Sequence, residues 1–219
     1  MRTQSPLVYL VDDDPSVLRA VKRLLTAGGF DTRAYSDPAL FLAEHNPSAP
    51  GCILLDMALP GLSGVDVQRR LAAAHHRQPV IFISGASDVP ATVTAMKGGA
   101  ADFLIKPFDE TDLLRAVRQA IERNATERAA DAEFSDITAR INELTPRERA
   151  VFFRVIAGRL NKQIAADLRI VEKTVKVHRA RVMKKMGVRT LAELVRLAYK
   201  HGLADEAESR SASEGGGGA

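Results

Sequence analysis

Four short apolar runs each end in a residue that could act on a phosphoryl group. Leu7-Val8-Tyr9-Leu10-Val11 leads into Asp12-Asp13-Asp14, Cys52-Ile53-Leu54-Leu55 into Asp56, Val80-Ile81-Phe82-Ile83 into Ser84, and Phe103-Leu104-Ile105 into Lys106-Pro107. Adjacent carboxylates with a third across a sheet are hard oxygen ligands suited to Mg²⁺, which takes one or two carboxylates and keeps several waters. Asp56 is then the acceptor, Lys106 pairs with a phosphate oxygen and Ser84 donates a hydrogen bond to another. This is phosphoryl transfer by electrostatic positioning.

Such convergence requires a particular scaffold. In an open parallel α/β sheet the ligand crevice lies at the carboxyl ends of the strands. Strand patterns at 7–11, 31–35, 52–55, 79–83 and 102–105 alternate with helical patterns at Pro15–Ala27, 39–45, 64–74, Val89–Lys97 and 110–123. Gly28-Gly29 and Gly98-Gly99 close two of the helices, and Ser36-Asp37-Pro38, Ser63 and Asp109 open three others. Leu113, Leu114, Val117 and Ile121 share one face of the last. The alternation predicts a doubly wound five-stranded parallel sheet of order 2-1-3-4-5.

Beyond this alternation the character of the chain changes. Residues 124–143 are polar, yet Ala130, Phe134, Ile137, Ile141 and Leu144 keep a seam of three- and four-residue spacing. That seam predicts a helical linker, either paired with another helix or packed on the neighbouring domain. From 144 to 203 every pattern is helical, and 204–219, with its Ser-Arg-Ser-Ala-Ser-Glu and four glycines, reads as a disordered tail. The expected domains are 1–123, 124–143, 144–203 and 204–219.

Charge separates the domains further. Residues 1–123 hold 13 Lys and Arg against 14 Asp and Glu, whereas 144–203 hold 15 against 4, a net +11 within a chain of net +4. A compact cationic domain without a lipid-type apolar face points to nucleic acid rather than membrane. No apolar run approaches the ~18 residues that span a bilayer, and none resembles a leader, so a soluble cytoplasmic protein is expected. Cys52 lies inside an apolar run as a core thiol, and His75-His76 has no acidic or cysteine company that would make it a metal site.

The basic block has the pattern of a helix-turn-helix. Thr145, Pro146 and Glu148 form a helix-start signature with capping-box spacing. Val151, Phe152, Val155 and Ile156 supply an apolar face, and Gly158 a stop. Asn161 opens a short helix, and a turn at Arg169-Ile170-Val171 leads into a long one from Glu172 to Met186. In that helix Val175, His178, Val182 and Met186 face the core. Lys173, Lys176, Val177, Ala180, Arg181 and Lys184 face outward, with Lys184 and Lys185 also placed to complement the helix dipole.

Residues 1–123 resemble a receiver domain of two-component signalling, of flavodoxin-like fold. The resemblance rests on Val11-Asp12-Asp13, Asp56 followed by Leu59-Pro60-Gly61 and Gly64, Ser84-Gly85, and Lys106-Pro107-Phe108. It implies that Asp12 and Asp13 are the acid pair, Asp56 the phosphoacceptor, the Ala58 carbonyl a further Mg²⁺ ligand, and Lys106 the phosphate partner. Ser84 and Phe103 become a switch pair, and Leu59 stands where the family more often has Met. Leu144 to Ala198 resembles the LuxR-type (NarL/FixJ) helix-turn-helix. This extends DNA contacts to Lys162, Lys173, Thr174, Lys176, Val177, Arg181 and Lys184, with Lys176 and Val177 at base-reading positions and Ala180 where a third reader is often Lys.

The whole order resembles FixJ-type response regulators. It implies a transcription factor rather than an enzyme: a sensor histidine kinase phosphorylates Asp56, the surface around Val89–Ile105 rearranges, and a homodimer binds double-stranded promoter DNA. Activation, with RNA polymerase as a partner, is the favoured outcome. Two other classes compete. Asp12-x-Asp14 after a strand imitates haloacid-dehalogenase-like phosphatases, which carry a further acid pair where this chain has Asp56 followed by Met57 and Ala58. A constitutive DNA-binding protein with a vestigial receiver would bind DNA regardless of phosphorylation.

Overall fold

The computed structural model describes the backbone of residues 5–85 and 89–203, and the side chains of 5–85 and 92–203. The tail expected at 204–219 lies outside the described residues. Contacts divide the chain into two compact units, Met1–Ala129 and Ala130–Ala219.

The first unit alternates strands and helices. In order these are β1 (Leu7–Val11), α1 (Pro15–Ala27), β2 (Asp31–Tyr35), α2 (Pro38–Glu44), β3 (Gly51–Asp56), α3 (Gly64–Ala73), β4 (Val80–Gly85), α4 (Val89–Lys97), β5 (Asp102–Lys106) and α5 (Glu110–Asn142). All neighbouring strands are parallel, in the order β2-β1-β3-β4-β5. The order expected from the alternation is therefore the one observed. Val8 to Val11, Cys52 to Leu55 and Ile81 to Ile83 are 0% exposed, as a sheet covered on both faces requires. Alternate residues of each central strand feed two separate cores: Tyr9, Val11, Ile53, Leu55 and Phe82 enter one, while Val8, Leu10, Cys52, Leu54, Ile81 and Ile83 enter the other. Burial pushes the Cys52 thiol up to about 12, so its reactive thiolate is suppressed at neutral pH.

Local chemistry accounts for the helix starts. Asp14, Asp37 and Ser63 cap α1, α2 and α3 by accepting hydrogen bonds from Ser16, Ala39 and Asp66 backbone N–H groups, and Pro15 and Pro38 occupy the first helical positions. Expected helix ends differ from observed ones by a single residue at α2 and α3, where His45 and Ala74 leave helical geometry although their N–H groups still bond back into the helix.

The second unit is helical: the last turns of α5, then α6 (Pro146–Ile156), α7 (Asn161–Asp167), α8 (Glu172–Met186) and α9 (Leu191–Lys200). Ile137, Ile141 and Leu144 join Val151, Phe152, Ile164, Val175, Val182 and Met186 in one core. The apolar seam expected along 130–144 thus divides. Its later members pack on the helical unit, whereas Phe134 is 51% exposed and Ala130 is exposed. The helix running from 110 is continuous with the linker to Asn142, because no Gly or Pro interrupts it.

Candidate functional site

Register explains why the reactive residues of the first unit meet. Val11 pairs with Leu55, so the residues that follow, Asp12 and Asp56, leave β1 and β3 side by side. Lys106 pairs with Gly85 at the end of β5, and its long stem reaches back over β4. Its Nζ donates to Asp12 Oδ2 at 2.7 Å and to Asp56 Oδ1 at 2.8 Å. One ammonium therefore bridges two carboxylates from two different strands. The side chains of Asp12 and Asp56 are 1% and 8% exposed, that of Lys106 29%.

The remaining carboxylate oxygens are held by backbone. Asp14 N–H donates to Asp12 Oδ1 at 2.9 Å, and Ala58 N–H donates to Asp56 Oδ2 at 2.7 Å. Gly64 allows the following loop to fold over Asp56, since a Cβ there would stand 2.3 Å from the Asp56 carbonyl oxygen. Burial raises the Asp12 carboxyl above its ordinary value, outweighing the hydrogen bonds from Lys106 and Asp14. At Lys106 burial works against the charge, but the hydrogen bonds to Asp12 and Asp56 prevail and hold its pKa above the ordinary value.

Not every expected member joins this cluster. Asp13 is exposed and makes no hydrogen bond or ion pair among the described residues. No group of three or more His, Cys, Asp or Glu among them is arranged to hold a metal ion. The three-carboxylate set read from the sequence is present here as a pair, with the Lys106 ammonium between its two members. That pair still fits Mg²⁺, because two buried carboxylates already converge on one cation and Mg²⁺ asks for no more than one or two. Ser84 is buried, yet its hydroxyl donates to the Gly85 carbonyl at 3.0 Å instead of entering the cluster. Phe103 is half-buried against the core that holds Phe82, its partner in the β4–β5 register. Ala58 is exposed beside Asp56.

In the second unit the α6 capping box forms as the spacing predicts. Glu148 N–H donates to Thr145 Oγ1 and Thr145 N–H to Glu148 Oε2. Val175, Val182 and Met186 of α8 are buried, and His178 is half-buried. Lys173, Lys176, Val177, Ala180, Arg181 and Lys184 are exposed, as is Lys162 on α7, while Thr174 is half-buried. Lys176 Nζ lies 3.5 Å from Glu172 Oε1, a solvated pair one turn apart.

Lys185 belongs to a different population. Its Nζ donates to Glu148 Oε2 at 2.7 Å and to the Glu143 carbonyl at 2.9 Å, so it ties α8 to the start of α6. The Lys185 hydrogen bond, followed by that from Thr145 N–H, holds the Glu148 carboxyl down at about 2. Two further anchors carry no motif. Asn124, 1% exposed, accepts from Gly51 N–H at 3.1 Å and donates to the Arg77 carbonyl at 3.2 Å; Arg128 donates to the Ser48 carbonyl at 2.7 Å. A signal for Asn124 did exist, since 113, 117, 120 and 124 follow helical spacing on the buried face.

A sheet whose strand ends gather an acid pair and a lysine, followed by a helix-turn-helix with a basic outer face, defines a phosphoacceptor module joined to a DNA-binding module. The comparisons agree. Residues 8–118 match the response regulator receiver domain, and residues 142–198 match the bacterial regulatory proteins of the luxR family. Nodulation protein W of Bradyrhizobium diazoefficiens is 43% identical over 90% of this chain and 87% of its own length. The transcriptional regulatory protein FixJ of the same species is 38% identical over 91% and 97%. The solved structure of the response regulator StyR has a TM-score of 0.84 and 43% identity, covering 90% of this chain and 99% of that one. The chain belongs to the response regulators that join a receiver domain to a LuxR-type DNA-binding domain. It is a transcriptional regulator of the two-component type, in a family whose receivers typically bind Mg²⁺ where they are phosphorylated. Among the described residues no helix is long and apolar enough to cross a membrane.

Proposed function

We propose that Asp56 accepts a phosphoryl group from a sensor histidine kinase, and that its phosphorylation converts residues 144–203 into a high-affinity DNA-binding module. The carrying observation is the double hydrogen bond of Lys106 Nζ to Asp12 and Asp56 at the ends of two adjacent strands. A half-buried cation already held beside the acceptor pairs with phosphate oxygens as charge builds on the transferring group, at little cost in reorganisation.

Asp12 and Asp56, with Asp13 turning in from its exposed position and the Ala58 carbonyl completing the set, would hold Mg²⁺. When bound, the ion offsets phosphoryl charge and orients an oxygen of the donor. Ala58 N–H keeps one Asp56 oxygen fixed while the other attacks phosphorus, as the bond from phosphorus to the donor's histidine nitrogen breaks and the imidazole leaves. Ser84 then exchanges its bond to the Gly85 carbonyl for one to a phosphate oxygen, and Phe103 moves inward into the core it already touches.

The switched surface is the α4–β5 region. Val93, Met96 and Ile105 are 47%, 48% and 55% exposed there, an apolar set that a second phosphorylated copy would cover. Dimerisation pairs two reading helices on two half-sites. Promoter binding with activation through RNA polymerase, acting in the cytoplasm, completes the reading. Residues 1–123 act as receiver, 124–143 as connector and 144–203 as reader.

The test is labelling. With Mg²⁺ and a small phosphodonor the full chain gains one phosphoryl group, labile as an acyl phosphate, and mass spectrometry finds it on Asp56. Undiminished Mg²⁺-dependent labelling of Asp56→Asn would overturn the assignment.

A further inference from the structure

We infer that Arg140, in the last turns of α5, is a positioning residue for the reading helix α8, acting on which DNA sequence is bound rather than on contact with DNA. The inference rests on the DNA-binding reading above.

A helix end leaves its last carbonyls without partners inside the helix. At the end of α8 the chain turns through Gly187 at φ +69, and Gly187 and Val188 N–H groups return to the Lys184 and Met183 carbonyls. The Met186 carbonyl receives Arg140 Nη1 at 2.9 Å. Asp136, one turn earlier on α5, holds the other end of the guanidinium, with Oδ2 2.7 Å from Nη2. The fit is close: a Cβ at position 187 would stand 2.5 Å from Arg140 Nη1. Glycine suits the turn for its left-handed backbone, and a side chain in its place would displace the guanidinium. A cation there also opposes the negative end of the helix dipole.

Lys185 adds a second tie nearby through Glu148 and the Glu143 carbonyl. The carboxyl end of α8 is thus fixed from α5 and α6, while the side chains expected to meet bases lie about two and a half to three turns away, at Lys176 and Val177. From Met186 to Lys176 the helix runs about 15 Å at ~1.5 Å per residue. A tilt of about 4° at the anchored end moves those groups by roughly 1 Å, more than a hydrogen bond to a base edge tolerates. Phosphate contacts, made by long exposed lysines, would adjust. Loss of Arg140 therefore falls on discrimination between sequences.

The experiment uses the full chain with Mg²⁺ and a small phosphodonor. It is titrated on a duplex that the wild-type chain selects from a random pool and on a scrambled version, across several salt concentrations. Arg140→Ala is expected to bind the selected duplex five- to tenfold more weakly and the scrambled one unchanged, with the salt slope unaltered. Arg140→Lys, which keeps a donor to the Met186 carbonyl, should recover part of the loss. Gly187→Ala should lose selectivity by at least as much as Arg140→Ala, since it adds left-handed backbone strain to the displaced guanidinium, and the double variant should be no worse than Gly187→Ala alone.

Wild-type selectivity retained by Arg140→Ala would overturn the inference. So would equal losses on both duplexes with a salt slope smaller by about one, the signature of a direct phosphate contact. Should Arg140→Ala fail to fold, Arg140→Lys and Gly187→Ala carry the same comparison. A wild-type chain that binds no duplex would instead refute the DNA-binding reading itself.

Discussion

The strand-end cluster of the first unit and the outer face of α8 in the second are both built from charge, on opposite principles. Asp12 and Asp56 are withdrawn from water and Lys106, itself half-buried, locks them together, so each one's position depends on the other two. Lys173, Lys176, Arg181 and Lys184 stand in solvent, and among the described residues their one ion pair is the loose contact between Lys176 and Glu172. Withdrawal suits a reaction, because a transferring phosphoryl group is stabilised by charges that need no reorientation. Exposure suits a polyanion, because each exposed cation can release a counterion from DNA. The same residue type, lysine, therefore has different consequences when removed from the two regions.

The largest effect should come from the buried side of this contrast. Lys106→Ala leaves two carboxylates buried without their shared cation, and breaking a buried pair costs about 3–5 kcal/mol; the partial exposure of Lys106 reduces this to about 2–3 kcal/mol. Urea unfolding at neutral pH without divalent ions measures it. Stability equal to the wild type would mean that the acid pair is hydrated despite its low exposure.

The Glu148 and Lys185 pair sharpens the comparison, since it places a buried carboxylate inside the basic unit. Glu148 titrates at about 2 when folded against 4.5 for an ordinary glutamate. A lowered folded value means that its stabilisation is complete above about pH 4.5 and is lost as pH falls toward about 2. Glu148→Gln should cost about 2 kcal/mol at pH 7, as for a charge-assisted hydrogen bond, and almost nothing near pH 2. A difference that persists unchanged to pH 2 would place the stabilisation elsewhere.

Exposed lysines should behave otherwise. Lys176→Ala is expected to weaken binding to the selected duplex by about 1–3 kcal/mol and to relax preference at one base pair, while leaving folding stability within about 0.5 kcal/mol. Lys184→Ala should weaken all duplexes alike, by less, and lower the salt slope by about one. Fluorescence anisotropy across salt separates the two, and a uniform loss for both would show that neither reads a base.

The contrast also explains what could be read from the sequence. The strands, their order and the gathering of Asp12, Asp56 and Lys106 followed from apolar runs that end in reactive residues, a pattern that parallel register converts directly into proximity. The reading helix followed from phase, with Val175, Val182 and Met186 on one side and the basic residues on the other. Side-chain direction at the site did not follow. Spacing puts Asp13 and Ser84 at the strand ends but cannot say that Asp13 stays in solvent or that the Ser84 hydroxyl turns to the Gly85 carbonyl. Contacts from side chain to distant backbone were equally hidden. Arg140 to Met186, Asn124 to Gly51 and Lys185 to Glu143 depend on where a remote carbonyl or N–H lies, which no periodicity encodes.

Coupling between the two kinds of charge is the central claim, and one titration addresses it. The full chain and its Asp56→Asn variant are each measured on the selected duplex, with and without Mg²⁺ and a small phosphodonor, at fixed salt. A shift of about 1.4 kcal/mol is tenfold in affinity, and at least that gain is expected for the wild-type chain on phosphorylation. Asp56→Asn should show none, remaining at the unphosphorylated level. An equal gain in both proteins, or no gain in the wild type despite full phosphorylation of Asp56, would contradict the claim that the buried cluster controls the exposed one.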